Sequence, residues 1–210
     1  SITTTGTTTG TDGDGIYADN DGTGTDLTIN AATTTGGRYG IIAINDGTGA
    51  LSITTSGATT GEFYGIYANN SSAGTGLTIN AATTTGGAID GIYADNNGTG
   101  ALSITATGTT TGGTGEDGIS ANNSSAGTSL TINAATTTGG DDGIFAANSG
   151  TGALSITTTG TTTGDNDGID AYNSSAGTSL TINAATTTGG DDGIVALNYG
   201  SGALSITTTG

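Results

Sequence analysis

Cysteine, histidine, methionine, tryptophan and proline are all absent from these 210 residues, and Arg38 is the only basic side chain. The missing cysteines exclude disulfide staples and thiolate metal sites. Eighteen Asp and Glu against one arginine give a formal net charge of −17. Such a surface repels phosphate backbones and anionic headgroups, which makes nucleic acid and acidic membranes poor partners. No apolar run approaches the roughly 20 residues needed to cross a bilayer, and no stretch reads as a signal peptide. Large apolar side chains are scarce as well: Leu, Ile, Val and Phe together make up 32 of the 210 residues, against 42 Gly. Composition of that kind is normally that of a disordered acidic linker.

Phase contradicts composition. The phrase LTINAATTTGG occurs four times unchanged, at 27–37, 77–87, 130–140 and 180–190. A Leu opening the pattern L-[ST]-I stands at 27, 51, 77, 102, 130, 154, 180 and 204, at intervals of 24 to 28 residues. Two forms alternate, the one above and a longer one such as LSITTTGTTTG at 154–164. Each unit carries three short runs: L-x-I; a Thr run closed by Gly; and G-I-x-A-x-N, whose Ile residues are 16, 41, 66, 92, 119, 144, 169 and 194.

Apolar residues at i and i+2 mark strands with one buried face, and the Gly and Thr content opposes helix. Strands recurring in one direction every 25 residues or so must stack in parallel. The expected fold is therefore an all-β, right-handed parallel β-helix (a β-solenoid) of about eight rungs, with three short strands in each. One solenoid would cover residues 1–210, as a segment of a longer repeat array. At about 4.8 Å per coil the rod would be about 38 Å long. The Leu and Ile of L-x-I, the middle Thr of each triplet and the Ile and Ala of G-I-x-A should point inward as ladders. The Asn closing the third run should sit in a corner, where this residue tolerates left-handed backbone and its amides can stack. The segment between the Thr run and G-I changes length and content, which predicts a solvent-facing corner.

The combination of L-T-I, T-x-T-G and G-I-x-A-x-N resembles repeats in the passenger regions of bacterial autotransporter adhesins, over essentially the whole chain. That resemblance implies an extracellular stalk or filament segment on the bacterial cell surface, an excerpt without the family's signal and membrane barrel. It brings no catalytic residues and no defined receptor. Further copies of the chain, or flanking repeats, are the expected partners, by axial stacking.

Several acidic pairs precede G-I strands: Asp12/Asp14, Glu116/Asp117, Asp141/Asp142, Asp165/Asp167 and Asp191/Asp192. Paired carboxylates can hydrolyse glycosides, but the His, Lys and Arg neighbours such sites use are almost wholly missing. Solubilising charge is the plainer reading. Calcium favours oxygen ligands, yet the spacing matches no calcium repeat; weak, adventitious binding is the most that these corners predict, and no cofactor is expected. No G-x-x-x-x-G-K-[ST] phosphate loop occurs. The sequons at Asn70, Asn97, Asn123 and Asn173 are what an Asn- and Ser-rich chain contains by chance.

Two surface features stand out. If the middle Thr of each triplet is inward, Thr33/Thr35, Thr83/Thr85, Thr109/Thr111, Thr136/Thr138, Thr161/Thr163 and Thr186/Thr188 form outward rows. Their spacing, about 6.7 Å by 4.8 Å, resembles the faces of ice-binding β-solenoids; the plainer reading is that Thr is a soluble strand residue. The outward position of G-I-x-A reads Tyr17, Ile42, Tyr67, Tyr93, Ser120, Phe145, Asp170, Val195, and its neighbour two residues on includes Ile44, Tyr172 and Leu197. That broken apolar stripe is a candidate protein contact. The expectation is a non-catalytic structural and adhesive protein, with an ice-binding type of module as the alternative.

Overall fold

The computed structural model describes residues 1–210: twenty-one β-strands and no helix. Every strand pair is parallel, and each strand pairs with its counterpart one repeat away, as in Ile66–Asn70 between Ile41–Asn45 and Ile92–Asn96. The chain is thus a β-solenoid of about eight turns.

The third strands form one eight-stranded sheet. The first and second strands share the other, of thirteen strands. In the early coils they are separate, as in Leu77–Ala81 and Thr84–Gly86; from Leu102–Thr111 onward they fuse into strands of nine or ten residues. The two repeat forms differ by one residue between these strands, and the register shows where it goes. Ala106 pairs with Ala134, and Thr109 with Thr136, so two residues of the longer form face one of the shorter. The extra residue is a bulge that bends the strand, and it recurs at Thr158/Thr161.

Thirty-three buried apolar residues make one continuous core. Leu, Ile and Ala stack on their own kind, as in Ile79 on Ile53 and Ile104, all fully buried. The fifth residue of the first strand is inward too: Ala31, Thr55, Ala81, Ala106, Ala134, Thr158 and Ala184 are all buried, which extends the period-two pattern one step beyond L-x-I. The middle threonines Thr34, Thr59, Thr84, Thr110, Thr137 and Thr162 are fully buried, as their phase predicts.

At the closing asparagines the sequence expectation needs correction. No residue other than glycine has positive φ, and that glycine is Gly115 at 76°, in the longest corner. These asparagines continue the strand and point inward. Each Nδ2 donates to the Oδ1 of the next coil's Asn, at 2.6 to 3.0 Å, from Asn20 through Asn45, Asn70, Asn96, Asn123, Asn148 and Asn173 to Asn198. The same Nδ2 also donates to a carbonyl of the following turn, such as Gly49 or Gly100. Two N–H donors and one acceptor in a short side chain are what this position uses, and only Asn carries them at this length.

The glycine opening each third strand has a different cause. A Cβ on Gly40, Gly65, Gly91, Gly118 or Gly143 would lie 2.5–2.6 Å from the carbonyl oxygen of the next coil's glycine. Backbones approach too closely there for any side chain.

Candidate functional site

The outward Thr pairs lie where their phase puts them. Thr35, Thr83, Thr109, Thr138, Thr161, Thr186 and Thr188 are exposed, and Thr33, Thr85, Thr111, Thr136 and Thr163 half-buried. They run in register, for example Thr85 on Thr60 and Thr111. A second hydroxyl row, not singled out from the sequence, follows the first strand: Thr28, Ser52, Thr78, Ser103, Thr131, Ser155 and Thr181, all half-buried. Its signal was the invariant Ser or Thr between Leu and Ile. At the bulge the two rows meet across a shallow groove of about 320 Å³, lined by Thr105, Thr107, Asn133, Ala135, Thr157 and Thr159 among others. The groove's lining comes from the residues between the two rows, not from the rows themselves. It holds no carboxylate and no base.

The apolar stripe is continuous in register from Tyr17 through Ile42, Tyr67, Tyr93, Ser120, Phe145 and Asp170 to Val195. It does not act as one unit. Tyr17 is 57% exposed and bonds only its neighbour Asp19; Phe145 touches no other ring. Tyr67 and Tyr93 stack at 5.1 Å with planes 7° apart. Beside them a second pair, Tyr39 and Tyr64, stacks at 5.6 Å, also at 7°. The two columns meet edge to face, Tyr64 against both Tyr67 and Tyr93 at 5.4 and 5.8 Å. Phe63 lies 6.2 Å from Tyr39, and the Arg38 guanidinium sits 5.5 Å above the Tyr39 ring.

Tyr39, Phe63 and Tyr64 come from the corner expected to be plain and solvent-facing. The readable signal was a Tyr immediately before G-I in two successive coils, at the same phase.

The corner also corrects the reading of the acidic pairs. Their first members, Asp141, Asp165 and Asp191, are exposed, but Asp142 and Asp167 are buried, as is Asp90 in the same column. Each carboxylate accepts the backbone N–H of the next coil's aspartate, from Asp90 through Asp117, Asp142 and Asp167 to Asp192, at 2.9–3.2 Å. Burial pushes Asp90 up to about 6 and Asp117 up to about 7, against the stabilising N–H bonds, and it raises Asp142 as well. Carboxylate oxygens of Asp117, Asp141 and Asp142 come within 4.8 Å of one another, which makes this the corner where an adventitious cation would meet the most oxygen ligands. Of the sequons named above, Asn70, Asn123 and Asn173 are committed to the buried ladder, whereas Asn97 is half-buried, as are Asn69 and Asn122, which also open N-x-S triplets.

These side chains make two surfaces, hydroxyl rows over one sheet and a tyrosine face over the other. Comparison of the chain with protein-family models, with curated protein sequences and with solved structures found no match in any of the three.

Proposed function

We propose that this chain is a non-catalytic structural and adhesive rod, a stalk or filament segment displayed on the bacterial cell surface, that carries its binding face on the outside of the coil. The observation that supports this most is the unbroken asparagine ladder through all eight coils. A device that ties each coil to the next, and to the turn that follows it, suits an object whose task is length and stiffness. The repeat pattern's likeness to adhesin passenger regions fits such an object. Further coils, of another copy or of flanking repeats, are its axial partners. Beads coated with the chain should adhere to host-cell or matrix surfaces, less so with Tyr67→Thr and Tyr93→Thr together, and no polysaccharide in a panel should be cleaved. Equal adhesion of the two bead types, or release of reducing sugar, rejects the proposal.

The in-register threonines favour a second reading, an ice-binding type of surface. Thermal hysteresis by the purified chain at micromolar concentration, lost on replacing Thr136 and Thr161 with Lys, would put that reading first. The half-burial of Thr33, Thr85, Thr111, Thr136 and Thr163 argues for the absence of hysteresis.

A further inference from the structure

We propose that the tyrosine face of the second to fourth coils docks a basic segment of a partner protein, taking its arginine guanidinium groups over the rings of Tyr39, Tyr64, Tyr67 and Tyr93. This names the partner of the adhesive face and rests on that reading of the rod.

The rings are placed for contact. Outward positions elsewhere on the solenoid are mostly Thr, Ser, Asn or Asp, which stabilise a strand and keep it soluble. Four tyrosines and Phe63 gather on three adjacent coils instead, half-buried or, for Phe63, 38% exposed. Stacking in pairs fixes the ring planes, so an incoming group meets a rigid surface and little side-chain freedom is lost on binding. Burial pushes the Tyr64 hydroxyl up to about 12 and raises those of Tyr67 and Tyr93. Burial therefore favours the neutral phenol at Tyr64, Tyr67 and Tyr93.

Charge selects the occupant. Asp95 lies two residues beyond Tyr93 on the same outward side, accepting only from the amides of Asn69 and Asn97 at 3.3 and 3.0 Å. Exposed Glu62 adjoins Phe63, and Asp90 raises the Tyr64 and Tyr93 hydroxyls by its charge. Ring faces bordered by carboxylates attract cations by quadrupole and by charge together. The molecule already shows the contact: its single cationic side chain, out of 210 residues, rests on Tyr39. A second copy could not serve as the lateral partner, since it brings a charge of −17 and one arginine. Guanidinium suits the site better than ammonium because it is planar, weakly hydrated and stacks on aromatic faces.

The probe is a soluble peptide of six arginines spaced by Gly and Ser, titrated against the full chain, with the same peptide carrying neutral citrulline as control. The arginine peptide should bind, more weakly as salt rises. Tyr67→Thr with Tyr93→Thr should weaken binding roughly tenfold, because it removes two of the four rings that receive guanidinium. Tyr172→Thr, on a distant coil, should leave affinity unchanged. Arg38→Thr should strengthen binding several-fold, because it frees the Tyr39 face and removes a like charge. In the unmodified chain, ring-proton shifts should be confined to Tyr39, Tyr64, Tyr67 and Tyr93 and spare Tyr172 and Tyr199, a result that needs no variant to fold. Equal binding of the citrulline peptide, preference for a neutral oligosaccharide, or shifts spread over all tyrosines would overturn the proposal. Peptide binding without bead adhesion would remove the adhesin reading and leave the docking face standing.

Discussion

At the scale of single residues, inward polar side chains differ in whether their atoms are paired. Asn96 is fully buried and paired on both sides, to Asn70 and Asn123, and to the Gly100 carbonyl. Thr84 is equally buried, but its Oγ1 has no partner. Leaving buried groups unpaired costs far more than removing a group that was never paired. Asn96→Ala should therefore destabilise by about 3 kcal/mol, since it strands a donor on Asn70 and an acceptor on Asn123. Thr84→Val should be neutral or stabilise by up to about 1 kcal/mol, by relieving an unpaired hydroxyl. Urea unfolding orders the two; a costly Thr84→Val would mean that the hydroxyl finds a partner in solution. Inward and outward positions separate in the same way. Ile144→Asp would place a carboxylate between Ile119 and Ile169, at a cost of several kcal/mol. Thr136→Lys should cost under about 0.5 kcal/mol. Comparable melting shifts for both would overturn the assignment of faces.

At the scale of strands and columns, the sequence announced what is periodic and concealed what is not. L-x-I, the Thr triplet and G-I-x-A kept one phase through every coil, so their buried faces could be read directly. The asparagine column was visible as a stack, but its inward direction was not, because Asn is as common in turns as in ladders. The corner before G-I hid most. Its changing length suggested solvent, although the carbonyl of its last residue accepts the N–H of the preceding coil's glycine, as Tyr64 does from Gly40, which ties it into the stack. Tyr occupies that place in two coils and Asp in those on either side. The aspartates there make stability depend on pH. Asp90, Asp117 and Asp142 are held above the ordinary 3.8 by burial, with Asp90 at about 6 and Asp117 at about 7. The folded chain thus holds these protons more tightly than the unfolded one. Their contribution is complete below 3.8 and is lost as the pH rises through about 6 to 7. The melting temperature should fall across that window and level off above it, with the repulsion of the other carboxylates acting in the same direction. Asp117→Asn keeps an oxygen to accept the Asp142 N–H and removes a titrating group. It should raise stability at pH 8 and flatten the profile. A profile unchanged by Asp117→Asn would place the dependence elsewhere.

At the scale of the whole molecule, every ladder has a direction, and that direction makes the two ends of the stack complementary. Asn20 sits at the acceptor end of the asparagine ladder and Asn198 at the donor end, its amide bonded to Gly202 with one N–H to spare. The last first-type strand, Leu204–Thr208, pairs on one side, and Leu204 and Ile206 are 48% and 46% exposed where their counterparts in the inner coils are fully buried. At the opposite end Ile2–Thr3 likewise pairs only with Leu27–Ala31. In the 210-residue chain taken by itself, an open parallel edge with apolar ladder residues behind it would be a template for another coil, of a second copy or of repeats that continue the chain. Contacts that join unlike ends without a closing rotation build open filaments, and surface repulsion at a charge of −17 would keep those filaments from clumping sideways. Mass measured by light scattering should therefore rise with concentration, and electron microscopy should show thin unbranched fibres with a repeat of about 4.8 Å along the axis. Leu204→Lys with Ile206→Lys should stop the growth while leaving the inner coils folded, since both side chains lie on the outermost strand. If the unmodified chain stays monomeric at high concentration while the backbone amides of Leu204–Thr208 resist hydrogen exchange, that edge is already satisfied, and axial stacking is not how the rod extends.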